Sequence, residues 1–267
     1  MPFDLIDIGA NLAHDSFDDD RDDVIEQAAA VGVRRMIITG SSDDSNVDAL
    51  ALARDHADRL FSTAGVHPHH ASHYDDASDA RIRELAMEPG CVAVGECGLD
   101  YFRNFSPRDE QLRAFRAQLD IAADTGLPVF LHQRDAHDDF VEVLEPRLPD
   151  LSRAVAHCFT GEGESLREYL AMGLYIGITG WICDERRGAH LQQIVSIIPD
   201  DRLMIETDSP YLLPRTIRPK PKSRRNEPRY LPEVLRVVAE CRGQSEAHVA
   251  AITTANAERF FALADAG

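Results

Sequence analysis

Eight short apolar or β-branched runs alternate along this chain with longer stretches of helical period, and this alternation constrains the fold more than any other feature. A strand–helix–strand repeat buries each helix on a parallel sheet, and eight repeats let that sheet close on itself. The runs lie at 5–8, 35–39, 61–66, 92–96, 129–132, 154–157, 175–179 and 203–207. Between two of them Leu112, Phe115, Leu119 and Ala122 recur at spacings of three and four. Ser106 and Pro107 read as the cap and first turn of that helix, and Gly126 and Pro128 as its stop. Residues 22–30 show the same period less cleanly. The expected fold class is α/β, a single (β/α)8 TIM barrel with 1–267 as one domain and an added C-terminal helix after Glu246; a doubly wound open sheet comes second.

The ends of the runs carry the chemistry. Asp7, His67, Glu96, His132, His157 and Asp208 each stand at or just past the C-terminal end of a run, the face where barrel enzymes place their active sites. Strand alternation pairs Val94 with Glu96, Phe130 with His132, and Val155 with His157, so each polar residue is expected to continue an inward apolar face, with Cys97 and Cys158 turned toward the helices. A lone histidine in such a place is more often a hydrogen-bonded core residue. One glutamate and two histidines in register, with Asp208 as a fourth, favour a divalent ion that lowers the pKa of a bound water and offsets charge on a phosphoryl oxygen. Asp208 then takes the water's proton or helps hold the ion. Glu206 shares parity with Asp208 one layer deeper and is expected to support it.

Composition narrows the setting. No apolar run is long enough to cross a bilayer and the start lacks a secretory signal, so a cytoplasmic location without membrane contact is expected. Five cysteines without a CxxC pair read as reduced thiols. The net charge of -18 opposes a polyanionic partner at long range, but the charge is unevenly placed. Acidic residues gather at 15–23, 43–48 and 75–79, whereas 215–229 holds Arg215, Arg218, Lys220, Lys222, Arg224, Arg225 and Arg229, including the only two lysines of the chain. That strip follows Asp208 directly, so Arg224 and Arg225, with His67, His69 and Arg134 on other loops, are the candidate substrate-binding residues for a sugar–phosphate backbone; Tyr101, Phe102 and Trp181 offer stacking faces. Two rival readings are a small-molecule amidase, lactonase or phosphoesterase on the same barrel, and a barrel that binds nucleic acid without turnover.

Seven stretches carry a closer resemblance: DIGANL at 7–12, AGVHPH at 64–69, GECGLD at 95–100, LHQR at 131–134, HCFTG at 157–161, ETDSPYL at 206–212 and RNEP at 225–228. Together they resemble the TatD family of metal-dependent deoxyribonucleases. The resemblance implies a barrel of the metallo-dependent hydrolase superfamily and 3′ to 5′ exonuclease action on single-stranded DNA, extending to RNA; a place in nucleic-acid repair or degradation is inferred only from that activity. It makes Glu96, His132 and His157 metal ligands, Asp208 a further ligand and the catalytic acid or base, and Glu96 its catalytic companion. One departure stands out, because Gly9 and Asn11 occupy the place of a His-x-His pair found in many relatives. A second ion would then rest on Asp7, Glu96, Asp208 and water, which favours Mg²⁺ or Mn²⁺ over Zn²⁺, with one or two ions per chain. A monomer is expected.

Overall fold

The computed structural model describes residues 2–263. Its strands are β1 (Leu5–Ala10), β2 (Val33–Ile38), β3 (Leu60–Ala64), β4 (Cys91–Asp100), β5 (Val129–Arg134), β6 (Ala154–Ala156), β7 (Tyr175–Ile178) and β8 (Leu203–Ile205). Its helices are α1 (Arg21–Ala30), α2 (Asp43–Asp55), α3 (Asp76–Ala86), α4 (Arg108–Thr125), α5 (His137–Leu144), α6 (Gly163–Ala171), α7 (Ala189–Ile194), α8 (Leu231–Arg242) and α9 (Glu246–Phe261). The strands form one eight-stranded sheet in sequence order. Past the end of β8, the Asp208 N–H donates to Gly9 O at 2.8 Å and the Asn11 N–H donates to Ser209 O at 2.8 Å, which returns the last strand to the first. This is the topology of a (β/α)8 barrel.

All eight strand runs are present, with ends moved by a few residues. β4 continues to Asp100, beyond the expected 96, because it stays paired with β5 as far as Arg134. β6 and β8 stop early, leaving His157 and Asp208 on the loops that follow. The helix expected from the 112–122 spacing is α4, whose N-cap position falls on Pro107 and not on Ser106. Ser106 is instead buried: its hydroxyl donates to His69 O at 3.0 Å and accepts the Ser72 N–H at 3.1 Å. Gly126 ends α4 at φ 73°, a left-handed turn that glycine takes without penalty.

The chain falls into two compact units. One comprises Met1–Ile37, Cys158–Ala171 and Tyr175–Gly267. Here α9, the expected C-terminal helix, packs on β1, β8 and α8, and Phe260 meets the Tyr175 ring edge-on at 5.2 Å. The other comprises Ile38–His157 and Met172–Leu174, with the rings of Phe115 and Phe140 stacked at 5.5 Å inside it.

Candidate metal centre

The second unit holds a buried glutamate among histidines, and β4 delivers it by an irregularity. Gly95 pairs with Phe130 and Cys97 with Leu131, so Glu96 is the extra residue of a bulge and has no partner on β5. Simple alternation from Val94 therefore does not aim Glu96; the bulge re-aims it, as bulges beside active sites do. The Glu96 N–H donates to Gly40 O at 2.7 Å, which fixes the bulge in place. Two residues on, Gly98 pairs with His132 at φ 141°, and a Cβ there would stand 1.9 Å from the His132 carbonyl oxygen. Only glycine lets the two strands approach so closely.

Three imidazoles converge on one carboxylate oxygen. Glu96 Oε1 lies 2.6 Å from His157 Nε2, 2.9 Å from His132 Nδ1 and 3.4 Å from His67 Nε2, and His67 Nε2 lies 3.3 Å from His132 Nδ1. Burial works to raise the Glu96 carboxyl, but His157 and His67 beside it, with the bonds from His132 and His157, hold it well below the usual carboxylate range. Burial pushes the His67 imidazole well down, which keeps it neutral. For His132 burial also acts downward, but bonds to Asp100 and Glu96 outweigh it and the pKa is raised.

The donor set fits a divalent ion. Ligand atoms held about 2.1 Å from one ion stand about 3.0–3.4 Å from each other in octahedral or tetrahedral arrangement. The 2.9, 3.3 and 3.4 Å spacings among Glu96, His132 and His67 match this, and these three form the one group of such donors within 4.8 Å of each other among the described residues. His67 nevertheless suits ligation less well than its position suggests. Its Nδ1 accepts the His69 N–H at 3.1 Å, so the neutral ring carries its proton on Nε2, the atom facing Glu96. Ligation through Nε2 would break that bond; donation to a substrate oxygen would not. His157 stands outside the compact group: its Nε2 lies 2.6 Å from Glu96 Oε1, a hydrogen-bond distance shorter than that between two ligands of one ion, and its ring is held at 4.5 Å on Phe130.

Asp100, the last residue of the GECGLD stretch, is central to this unit. It is buried; its Oδ2 lies 2.8 Å from His69 Nε2 and 3.3 Å from His132 Nε2, and its Oδ1 accepts the Arg103 N–H at 2.7 Å. Burial acts to raise its pKa, but the bonds from His132 and His69 outweigh this and hold the carboxyl far below its ordinary value. A carboxylate behind a ligand histidine fixes the ring's orientation and tautomer. The available signal was the strand continuing to a second acidic residue four places after Glu96. Arg134, two residues beyond His132, lays its guanidinium over the Phe102 ring at 3.9 Å.

Asp208 belongs to the first unit, at φ 54°, and its Oδ1 accepts from Asn11 Nδ2 at 3.1 Å. Asn11 is thus a partner of Asp208, a role that the missing His-x-His pair did not suggest. Asp7 is fully buried: its Oδ1 accepts the Thr207 N–H at 2.9 Å and the Gly9 N–H at 3.2 Å, and its Oδ2 accepts the Thr207 hydroxyl at 2.5 Å. Burial pushes its pKa up to about 7 against those bonds. Glu206, also buried, accepts the Cys158 N–H at 2.5 Å. The two arginines expected to grip substrate differ. Arg225 is committed within the protein, donating to both oxygens of Asp20 at 2.8 and 2.6 Å and to Glu227 at 3.0 Å, whereas Arg224, Lys220 and Lys222 are exposed.

A (β/α)8 barrel with a carboxylate–imidazole cluster at its strand ends defines the class of metal-dependent hydrolases. Residues 6–262 match the family described as TatD related DNase, and the chain belongs to this TatD family. It is 53% identical over 259 residues to the 3'-5' ssDNA/RNA exonuclease TatD of Erwinia tasmaniensis, covering 97% of this chain and 100% of that protein. It is 52% identical over 260 residues to the protein of the same name from Escherichia coli K12, with 97% and 100% covered. Among solved structures, a hydrolase TatD family protein from Entamoeba histolytica superposes at TM-score 0.88 and 26% identity, covering 98% of this chain and 99% of that one. The TatD homologue YjjV of Escherichia coli K12 gives the same TM-score and identity, with 97% and 98% covered.

Proposed function

We propose that this chain is a divalent-metal-dependent phosphodiesterase that removes nucleotides from the 3′ end of single-stranded DNA and of RNA. The observation that carries the reading is the buried Glu96 carboxylate with His157 and His132 nitrogens at 2.6 and 2.9 Å, in a chain whose relatives at 52–53% identity bear the exonuclease name.

In this reading Glu96, His132 and His157 hold the ion. The bound ion supplies Lewis acidity toward a phosphoryl oxygen. Asp208 is the acid or base that exchanges a proton with the attacking water, and Asn11 at 3.1 Å aims its carboxylate. The neutral His67 donates its Nε2–H to a phosphate oxygen, and His69, held by Asp100, lies beside it. Arg134 and the exposed Arg224, Lys220 and Lys222 take the backbone, while Arg225 anchors its own loop to Asp20. The working ion is Mg²⁺, with Mn²⁺ able to replace it; imidazole donors strengthen Mn²⁺ relative to Mg²⁺. In the same reading the protein works in the cytoplasm, as a single-domain monomer, in nucleic-acid repair or turnover; among the described residues no helix is long and apolar enough to cross a membrane.

The test follows end-labelled single-stranded and duplex oligonucleotides with Mg²⁺, with Mn²⁺, with Zn²⁺ and with EDTA, using wild type, His132→Ala and Asp208→Ala. A ladder shortening from the 3′ end, present with Mg²⁺ or Mn²⁺ and abolished by EDTA and by each substitution, is expected. Turnover restored by Zn²⁺ but not by Mg²⁺ or Mn²⁺ would refute the ion assignment, and no cleavage under any metal would refute the nuclease reading.

A further inference from the structure

The turn between β4 and α4 presents two phenylalanines to solvent beside the histidine cluster. Phe102 is 54% exposed and Phe105 66% exposed. Solitary exposed apolar side chains are ordinary, and Met87 and Tyr211 are others on this protein. These two differ in standing three residues apart on one turn, with Phe105 against His69 and Phe102 against Arg134.

The turn is tied down along its length. The Arg103 N–H donates to Asp100 Oδ1 at 2.7 Å and the Asn104 N–H to Asp100 O at 3.2 Å. Ser106 is buried and bonded to His69 O, while Gln111 Nε2 donates to Ser106 O at 2.8 Å. The carboxylate that anchors the turn is the same one that lies against His132 and His69. The turn that carries the rings therefore holds a set position relative to the cluster. Phe105 meets the His69 ring at 4.7 Å, and the His69 ring lies 4.2 Å from that of His67. Phe102 lies under the Arg134 guanidinium at 3.9 Å, with Arg103 over it at 5.8 Å.

We infer that Phe102 and Phe105 form a stacking rim that takes the unpaired bases next to the phosphate being cleaved. This rests on the nuclease reading above and gives it a basis for strand selection. Aromatic rings flanked by guanidinium groups match single-stranded nucleic acid, whose bases offer π-faces and whose phosphates offer charge. In a duplex those faces are covered by neighbouring bases, so the rim selects single strands without reading sequence.

The experiment compares an ordinary single-stranded oligonucleotide with one whose 3′-terminal residues are abasic, cleaved by wild type, Phe102→Ala, Phe105→Ala and Phe105→Trp. On the ordinary strand each alanine variant is expected to raise KM about tenfold or more with kcat within about twofold, and Phe105→Trp to behave as wild type. On the abasic strand wild type should already show the raised KM, and the alanine variants should add nothing. Alanine variants with unchanged KM on the ordinary strand, or a wild type that cleaves both strands equally well, would overturn the rim while leaving the nuclease intact. A wild type that cleaves neither strand would overturn the nuclease reading and the rim together.

Discussion

Replacing Asp100 by Asn tests how the cluster is held, because the two side chains have the same shape and differ in what they can accept. Asp100 accepts on both oxygens, with Oδ2 facing His69 and His132 and Oδ1 facing the Arg103 N–H. An asparagine has one acceptor. If its oxygen keeps the Arg103 N–H, its NH₂ faces the two imidazoles and donates to His132 Nε2, which moves the ring proton to Nδ1, the atom 2.9 Å from Glu96. Turned the other way, its NH₂ opposes the Arg103 N–H and unfixes the turn. The first orientation takes from an ion the nitrogen that should face it; the second leaves an acceptor toward the imidazoles but loosens the residue that carries it. Removing the carboxylate behind a ligand histidine typically costs ~10–100-fold in metal affinity, about 1.4–2.7 kcal/mol. Titration calorimetry of EDTA-stripped protein with Mn²⁺ reads this directly, and thermal unfolding in EDTA reports whether the variant is folded. A folded Asp100→Asn protein that binds Mn²⁺ within twofold of wild type would refute the argument.

Three further outcomes are expected. Asn11→Ala removes a hydrogen bond to a charged group, worth about 1.5–3 kcal/mol, so kcat should fall at least tenfold with KM little changed; steady-state kinetics at saturating Mg²⁺ would show an unaltered kcat if Asn11 were only filler. Asp7 has an ordinary value of 3.8 and a folded value of about 7, so between these pH values the folded state holds the extra proton; stability should fall as pH rises from about 4 to 7, and Asp7→Asn should flatten that dependence. Equal loss of Tm between pH 5 and pH 8 in both proteins would contradict it. Arg225→Ala breaks a two-oxygen pair to Asp20 and a bond to the buried Glu227, and should lower the unfolding free energy by about 1–3 kcal/mol; Arg224→Ala should leave denaturant stability alone and reduce the slope of log affinity against log salt by about 0.7.

The fold was legible because its units repeat. Each strand run is short, apolar and followed by a helical stretch, and eight of these leave few alternatives. The inaccuracies lie where tertiary contacts override local pattern. Ser106 resembles a helix cap in sequence, but His69 and Ser72 claim its hydroxyl, and the cap position falls to Pro107. Gly126 needed no tertiary information, since its left-handed turn follows from the backbone alone. The site divides in the same way. Strand ends identify Glu96, His132 and His157, yet the Glu96 position depends on a bulge that alternation cannot foresee, and Asp100 matters through contacts with residues more than thirty places away.

Charge is the property that sequence order describes least well. A total of -18 suggests a surface hostile to nucleic acid, and the run from 215 to 229 suggests a uniform basic strip. The folded first unit contradicts the uniformity. Arg215 bonds Glu185 at 3.0 Å, Arg225 is held by Asp20 and Glu227, and Arg229 reaches Glu227 at 2.8 Å, so these cations neutralise acidic neighbours within the protein. Lys220, Lys222 and Arg224 are exposed between those anchors. The arginines on either side thus fix the ends of the loop while its middle presents positive charge to solvent. Under the proposed function, a loop so anchored would reach a phosphate backbone with less conformational freedom to lose than a floppy tail, and three cations would then serve on a protein whose net charge repels the same ligand from afar.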